Sequence, residues 1–145
     1  MSSGDIAIRL FMGLIAHGMG DYVLQSNWMA LEKTRRWVVA AAHGALYTVP
    51  FVFLVAVNSV VVWLVALALI GGTHAVLDRY RVARFVIYGK NLIAPPSQIR
   101  PWSECRETGF PPEAPEYLAR WLLIIVDNLI HILINTLVII WAVKA

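Results

Sequence analysis

The sequence is poor in charge and nearly devoid of cysteine, and each shortage excludes something. Charged residues are 14% of 145 and hydrophobic residues 59%, with a mean hydropathy of +0.67. A soluble domain carries roughly 25% charged residues, so a water-soluble fold is excluded in favour of an integral membrane protein. The lone cysteine, Cys105, excludes a disulfide within the chain and a thiolate metal cluster, and reads as a reduced loop residue. The opening MSSGD lacks the basic start and cleavage pattern of a signal peptide, and has no Gly directly after Met for myristoylation. Ile6 onward is therefore expected to remain as a span. The net charge of +3 is accounted for by orientation signals and no recognition module is visible, so no nucleic acid is expected as a partner.

What is present is a set of long apolar runs. Spacing and length predict an all-α, single-domain bundle over 1–145, with four transmembrane helices at about 6–25, 37–57, 60–77 and 117–143. Trp28 and Trp37 suit the headgroup level around a short interfacial connection, and Pro50 is expected to kink the second helix. Asn58 and Ser59 form a tight turn into the third. Gly71 and Gly72 allow either close helix contact or mere packing slack. Residues 91–116 hold six of the seven prolines and read as a long loop, either a lid or a plain connection.

Ten of the twelve basic residues, from Lys33 to Arg120, fall in the two loops that share one side; Arg9 and Lys144 do not. The positive-inside rule then puts those loops in the cytoplasm and both termini outside, as in a multi-pass protein of the cell inner membrane. The lipid bilayer is the expected partner. A small bundle of this kind is also suited to forming a homodimer, though no residue marks an interface.

Polar groups inside the apolar runs carry the chemistry. His17 with Asp21, His43 with Tyr47, His74 with Asp78, and Asp127 with His131 are each four apart, and so share a helix face. With four Asp in the chain, a given His finds one at plus or minus four only about 6% of the time by counting; three of four do. At a rise of about 1.5 Å per residue, all but His131 lie in the cytoplasmic half, so one shared cluster is expected. Four imidazoles and three carboxylates without thiolate suit Zn, Mn or Fe, with some carboxylates orienting a ligating histidine or bridging two ions. The plainer alternative is a network of His and Asp satisfying one another across helices. A proton or ion path is the third.

HGMGDYVLQSNWMALEK, HGALY, THAVLD and DNLIH together resemble a family of small membrane proteins of bacteria and their phages, domain-of-unknown-function family 3307. The resemblance covers most of the chain except the Pro-rich loop, and departs at Asn128, where Gln is usual. It groups the His and Asp residues without implying a substrate. A weaker similarity of style links the chain to membrane-bound metal-dependent hydrolases.

These readings converge on a divalent metal centre (Zn, Mn or Fe) open to the cytoplasm. Its expected ligands are His17, Asp21, His43, His74, Asp78, Asp127 and His131, with the three aspartates also catalytic. Lys33, Arg79, Tyr47 and Gln25 are the expected substrate-binding residues. The expected function is metal-dependent hydrolysis of a phosphorylated or lipid-linked substrate. The alternatives are a proton or divalent-metal transporter or channel, and a non-catalytic phage-type membrane protein.

Overall fold

All four apolar runs become helices, but only three reach membrane-spanning length. The computed structural model describes residues 3–55, 57 and 59–145, so Asn58 of the expected turn lies outside the described residues. Among these there are seven α-helices and no strand. Gly4–Val23, Val60–Tyr80 and Glu116–Lys144 are long and apolar enough to cross a membrane; Trp37–Phe51 is apolar but shorter.

The described chain up to Tyr80 together with His131–Ala145 makes one compact unit. It contains α1 (Ser3–Gly18), a π-turn (Met19–Val23), α2 (Asn27–Glu32), α3 (Trp37–Tyr47), α4 (Val60–Tyr80) and the later part of a long helix. The short connection after the first span contains the helix α2.

The second span departs from the expected helix over 37–57. α3 stops at Tyr47 and passes into a 3-10 turn, Val49–Phe51. Pro50 has no N–H to donate and its ring crowds the preceding turn, so the helix ends where a kink was expected. Carbonyls around this ending are taken by side chains: Thr48 Oγ1 donates to Ala45 O (2.7 Å), Trp63 Nε1 to Val52 O (2.8 Å), and the Arg9 guanidinium to Leu54 O. An unpaired carbonyl in an apolar medium costs roughly 2–7 kcal/mol. Arg9, costly as an isolated charge in lipid, thus has a definite use.

α3 and α4 meet backbone to backbone. A Cβ on Gly44 would fall 2.5 Å from Gly71 O, and one on Gly71 would fall 2.9 Å from Gly44 O. Gly72 would meet nothing within 4 Å. The first glycine of the pair is a contact, and the second is slack. Tyr47, Phe51, Val55, Ala66, Ile70 and Ile139 form the apolar core of this unit. Outside it, Ile8, Phe11, Val38, Phe53, Val61 and Leu133 are more than half exposed, while His17, His43, His74, Asp78 and His131 are buried. Polarity is inverted relative to a soluble domain.

Arg81–Ile130 forms the second unit. It holds α5 (Ala83–Asn91), a 3-10 turn (Pro96–Gln98), α6 (Trp102–Cys105) and the start of α7 (Glu116–Lys144). The Pro-rich stretch is therefore folded rather than a bare loop. Trp102 stacks on Phe85 at 4.8 Å and meets Tyr88 edge-on at 5.1 Å, with the Arg84 guanidinium over Phe85 and Trp102. Side chains then close the turns by donating to carbonyls: Arg81 to Glu107 (2.7 Å), Arg84 to Arg106 (3.0 Å) and Asn91 to Gly109 (3.0 Å). Gly109 has φ +84°, and a Cβ there would lie 2.2 Å from Arg84 O, so no other residue fits. Cys105 is a buried residue of α6, not an exposed loop thiol.

Candidate metal centre

The site is assembled from three local devices. First, Leu24 N–H bonds to Met19 O at 2.9 Å, an i to i+5 closure that makes the end of the first span a π-turn. Gly20 makes room for it, since a Cβ there would fall 2.4 Å from the Tyr47 ring. Gln25 Nε2 then donates to Asp21 O at 3.0 Å and secures the turn. Second, α4 is a regular helix through His74 and Asp78, so these two do share a face. Third, Ser26 Oγ accepts Met29 N–H at 3.2 Å and starts α2, whose C-terminal end presents Lys33.

Four donor atoms converge. His43 Nε2 lies 2.9 Å from His74 Nε2, 3.2 Å from Asp21 Oδ1 and 3.5 Å from Asp78 Oδ2; His74 Nε2 lies 3.3 Å from Asp21 Oδ1 and 3.1 Å from Asp78 Oδ2. These are five of the six edges of a four-cornered cluster, all of whose corners lie within 4.8 Å of one another. A tetrahedral site with bonds of about 2.0–2.1 Å to nitrogen and oxygen has edges of about 3.3–3.4 Å. All four residues are buried. Protons alone serve the arrangement poorly. If both Nε2 atoms carry hydrogen to donate to the carboxylates, two N–H groups face each other at 2.9 Å; if one donates to the other, a bare lone pair faces the carboxylates. One cation at the centre satisfies all four lone pairs. Two imidazoles and two carboxylates suit Zn, Mn or Fe.

The surrounding groups are consistent with that placement. With His74 Nε2 turned to the centre, its Nδ1 carries hydrogen and donates to His131 Nδ1 at 3.2 Å, which leaves the His131 proton on Nε2, 3.7 Å from Asp78 Oδ1. His131 thus lies outside the quartet, against His74 and Asp78, where it would orient both if an ion were held there. Asn135 Nδ2 donates to Tyr47 Oη at 2.6 Å, and the phenol donates to His17 Nδ1 at 2.7 Å. The Tyr47 ring stacks on the His74 imidazole at 3.7 Å and 13°. His43 Nδ1 has no hydrogen-bond partner among the described residues.

The other expected site residues fall as follows. His17 is not in the quartet: its Nδ1 is bonded to Tyr47 Oη at 2.7 Å and lies 3.7 Å from Asp21 Oδ2, the carboxylate oxygen that the quartet does not use. Lys33 Nζ is in contact with the quartet, 2.8 Å from Asp78 Oδ2 and 3.3 Å from His43 Nε2. Arg79 Nη1 donates to Thr34 O at 2.8 Å and its guanidinium lies over Trp37, so it holds the turn that follows Lys33. Gln25 serves the Asp21 backbone. Asp127 stands one turn before His131 on α7, half-buried and in the second unit. Asn135 is a site residue that sequence reasoning missed; its position one turn after His131 was the available signal.

No curated protein matches this chain, and no solved structure does. The family described as "protein of unknown function (DUF3307)" matches residues 9–145, the Pro-rich stretch included. The chain belongs to that family.

Proposed function

We propose that the protein is a multi-pass protein of the inner membrane, a hydrolase whose divalent metal is held by Asp21, His43, His74 and Asp78 and whose substrate is phosphorylated or lipid-linked. The observation that carries this is the quartet: four buried donor atoms gathered within 4.8 Å of one another, drawn from α3, α4 and the π-turn. The inverted polarity of the first unit and its apolar helices support a bilayer as its solvent. The basic loops support a cytoplasmic opening.

A divalent ion held by these residues would supply Lewis acidity to a phosphoryl oxygen and to a water taken up beyond the four protein donors. The chain's own residues do the rest. Asp21 uses Oδ1 in the quartet and keeps Oδ2 beside His17, 3.7 Å away, so Asp21 is the group placed to accept a proton from attacking water. Asp78 would hold the ion and meets Lys33 Nζ through Oδ2 at 2.8 Å. His131 fixes the His74 tautomer, and the Asn135–Tyr47–His17 chain fixes the ring against which His74 stacks.

A proton or metal path is less well supported, because Arg9 and Asn135, two polar groups beyond the quartet, are engaged with Leu54 O and Tyr47 Oη. The test is turnover of phosphomonoester and lipid-linked phosphate panels by detergent-purified protein with added Mn or Zn, wild type beside Asp21→Asn. Metal-dependent turnover that falls at least about a hundredfold in Asp21→Asn supports the assignment. Turnover unaffected by chelator or by the substitution refutes it.

A further inference from the structure

Lys33 is out of place in a site that only stores or passes a cation. Its Nζ lies 2.8 Å from Asp78 Oδ2, 3.3 Å from His43 Nε2 and 3.9 Å from Asp21 Oδ1, over the face those three atoms form. An ammonium there repels a divalent ion and competes for the same carboxylate oxygens. Nor is it a surface lysine that happens to reach inward. Lys33 N–H is bonded to Met29 O at 2.9 Å, and Arg79 holds the next carbonyl, Thr34 O, at 2.8 Å. The chain delivers this side chain deliberately.

Exposure shows which face is open. The Lys33 and Asp21 side chains keep 13% and 10% of their exposure, against 4% for Asp78, 1% for His74 and none for His43. A ligand arriving from outside meets Lys33 first. Within the quartet, two carboxylates balance a divalent ion, so an ion there would take over the Asp78 oxygen that Lys33 now meets and leave the ammonium to be compensated from the open face. An oxyanion is the ligand that does this.

Resting on the metal-centre reading, we infer that Lys33 makes this an anion-coupled centre, in which a divalent cation and a phosphate-type oxyanion bind together and the oxyanion accepts from the Lys33 ammonium on the open face. Coupling between two ligands is reciprocal, so the oxyanion must tighten the metal as the metal tightens the oxyanion. The expected size is about tenfold or more in metal affinity. Lys33→Gln removes the competing charge, so it binds metal alone at least as tightly as wild type and loses the coupling. Lys33→Arg keeps the charge and retains part of it.

The experiment is a Mn2+ titration of the full-length protein in detergent micelles, with free Mn2+ read by electron paramagnetic resonance. It is run without anion, with inorganic phosphate, and with phosphatidic acid in the micelle. Tightening by inorganic phosphate identifies a soluble oxyanion, tightening by phosphatidic acid alone identifies a lipid headgroup, and either supports the inference when Lys33→Gln abolishes it. Equal wild-type affinity in all three conditions overturns it without recourse to any variant. So does coupling that persists in a Lys33→Gln protein with unchanged circular dichroism. Absence of Mn2+ binding in every condition is a different failure, that of the metal centre itself.

Discussion

The two units solve the same problem with opposite materials. In the first, ionisable side chains are inside and large apolar ones outside, and the polar interior is tied together side chain to side chain: His43 to Asp21, His74 to His131, Tyr47 to His17. In the second, a small aromatic cluster around Trp102 sits inside and arginines reach back to backbone carbonyls. Buried side-chain pairs of the first kind are expensive to assemble, because each group forfeits its hydration. Bonds from long side chains to turn carbonyls are the ordinary means of closing a loop. The contrast teaches where function lies, since only the first unit spends burial on groups that could instead have been apolar.

That comparison can be broken or sharpened by substitution. The largest effect is expected for His43→Ala, which removes one corner of the quartet; metal affinity measured by competition with a chelator should fall by about a thousandfold or more, whereas Trp102→Ala should leave it unchanged while lowering the melting temperature. Next comes Gly44→Ala. Its Cβ would lie 2.5 Å from Gly71 O, forcing α3 from α4 and so parting His43 Nε2 from His74 Nε2. A loss of about 1–3 kcal/mol in denaturant unfolding is expected, together with weaker metal binding. Tyr47→Phe keeps the stacked ring but deletes the hydroxyl between Asn135 and His17, and should cost about tenfold in metal affinity with little change in stability. If Tyr47→Phe equals His43→Ala, the hydroxyl belongs inside the coordination sphere and the distinction drawn here between ligand and support is wrong.

The smallest effect concerns the second unit. Burial, with the Glu104 carboxylate nearby, pushes the Cys105 thiol up. Less thiolate is then present at any given pH, so alkylation at mildly alkaline pH should be slower than for an ordinary cysteine and should reach the ordinary rate on denaturation. A fast reaction in the folded protein would contradict the packing of α6.

How far the sequence could be read depended on whether a local rule held. His74 and Asp78 were legible as partners because α4 is a regular helix and i, i+4 spacing means what it says there. His17 and Asp21 also meet, at 3.7 Å, but that His17 stays out of the quartet was not legible, since Gly20 and the Tyr47 ring allow a π-turn that no periodicity announces. Pro50 was rightly seen as an interruption, yet whether it kinks or ends a helix depends on Trp63 and Arg9 being at hand for the freed carbonyls, and those are distant in sequence. α5 and α6 were missed because they are short and held by arginine-to-carbonyl bonds rather than by an apolar stripe. A shared cluster of seven His and Asp residues was readable from composition and depth, but which four of them converge was not. That Lys33 sits against them was not, because it depends on how α2 turns back.

The most direct test of the metal centre is elemental analysis of the detergent-purified protein, wild type beside His74→Ala and Asp78→Ala, with folding followed by circular dichroism. The account predicts a stoichiometric divalent metal in the wild type and its loss from both variants. A folded wild type without metal after loading with Zn, Mn or Fe, or variants that keep a full equivalent, would contradict it.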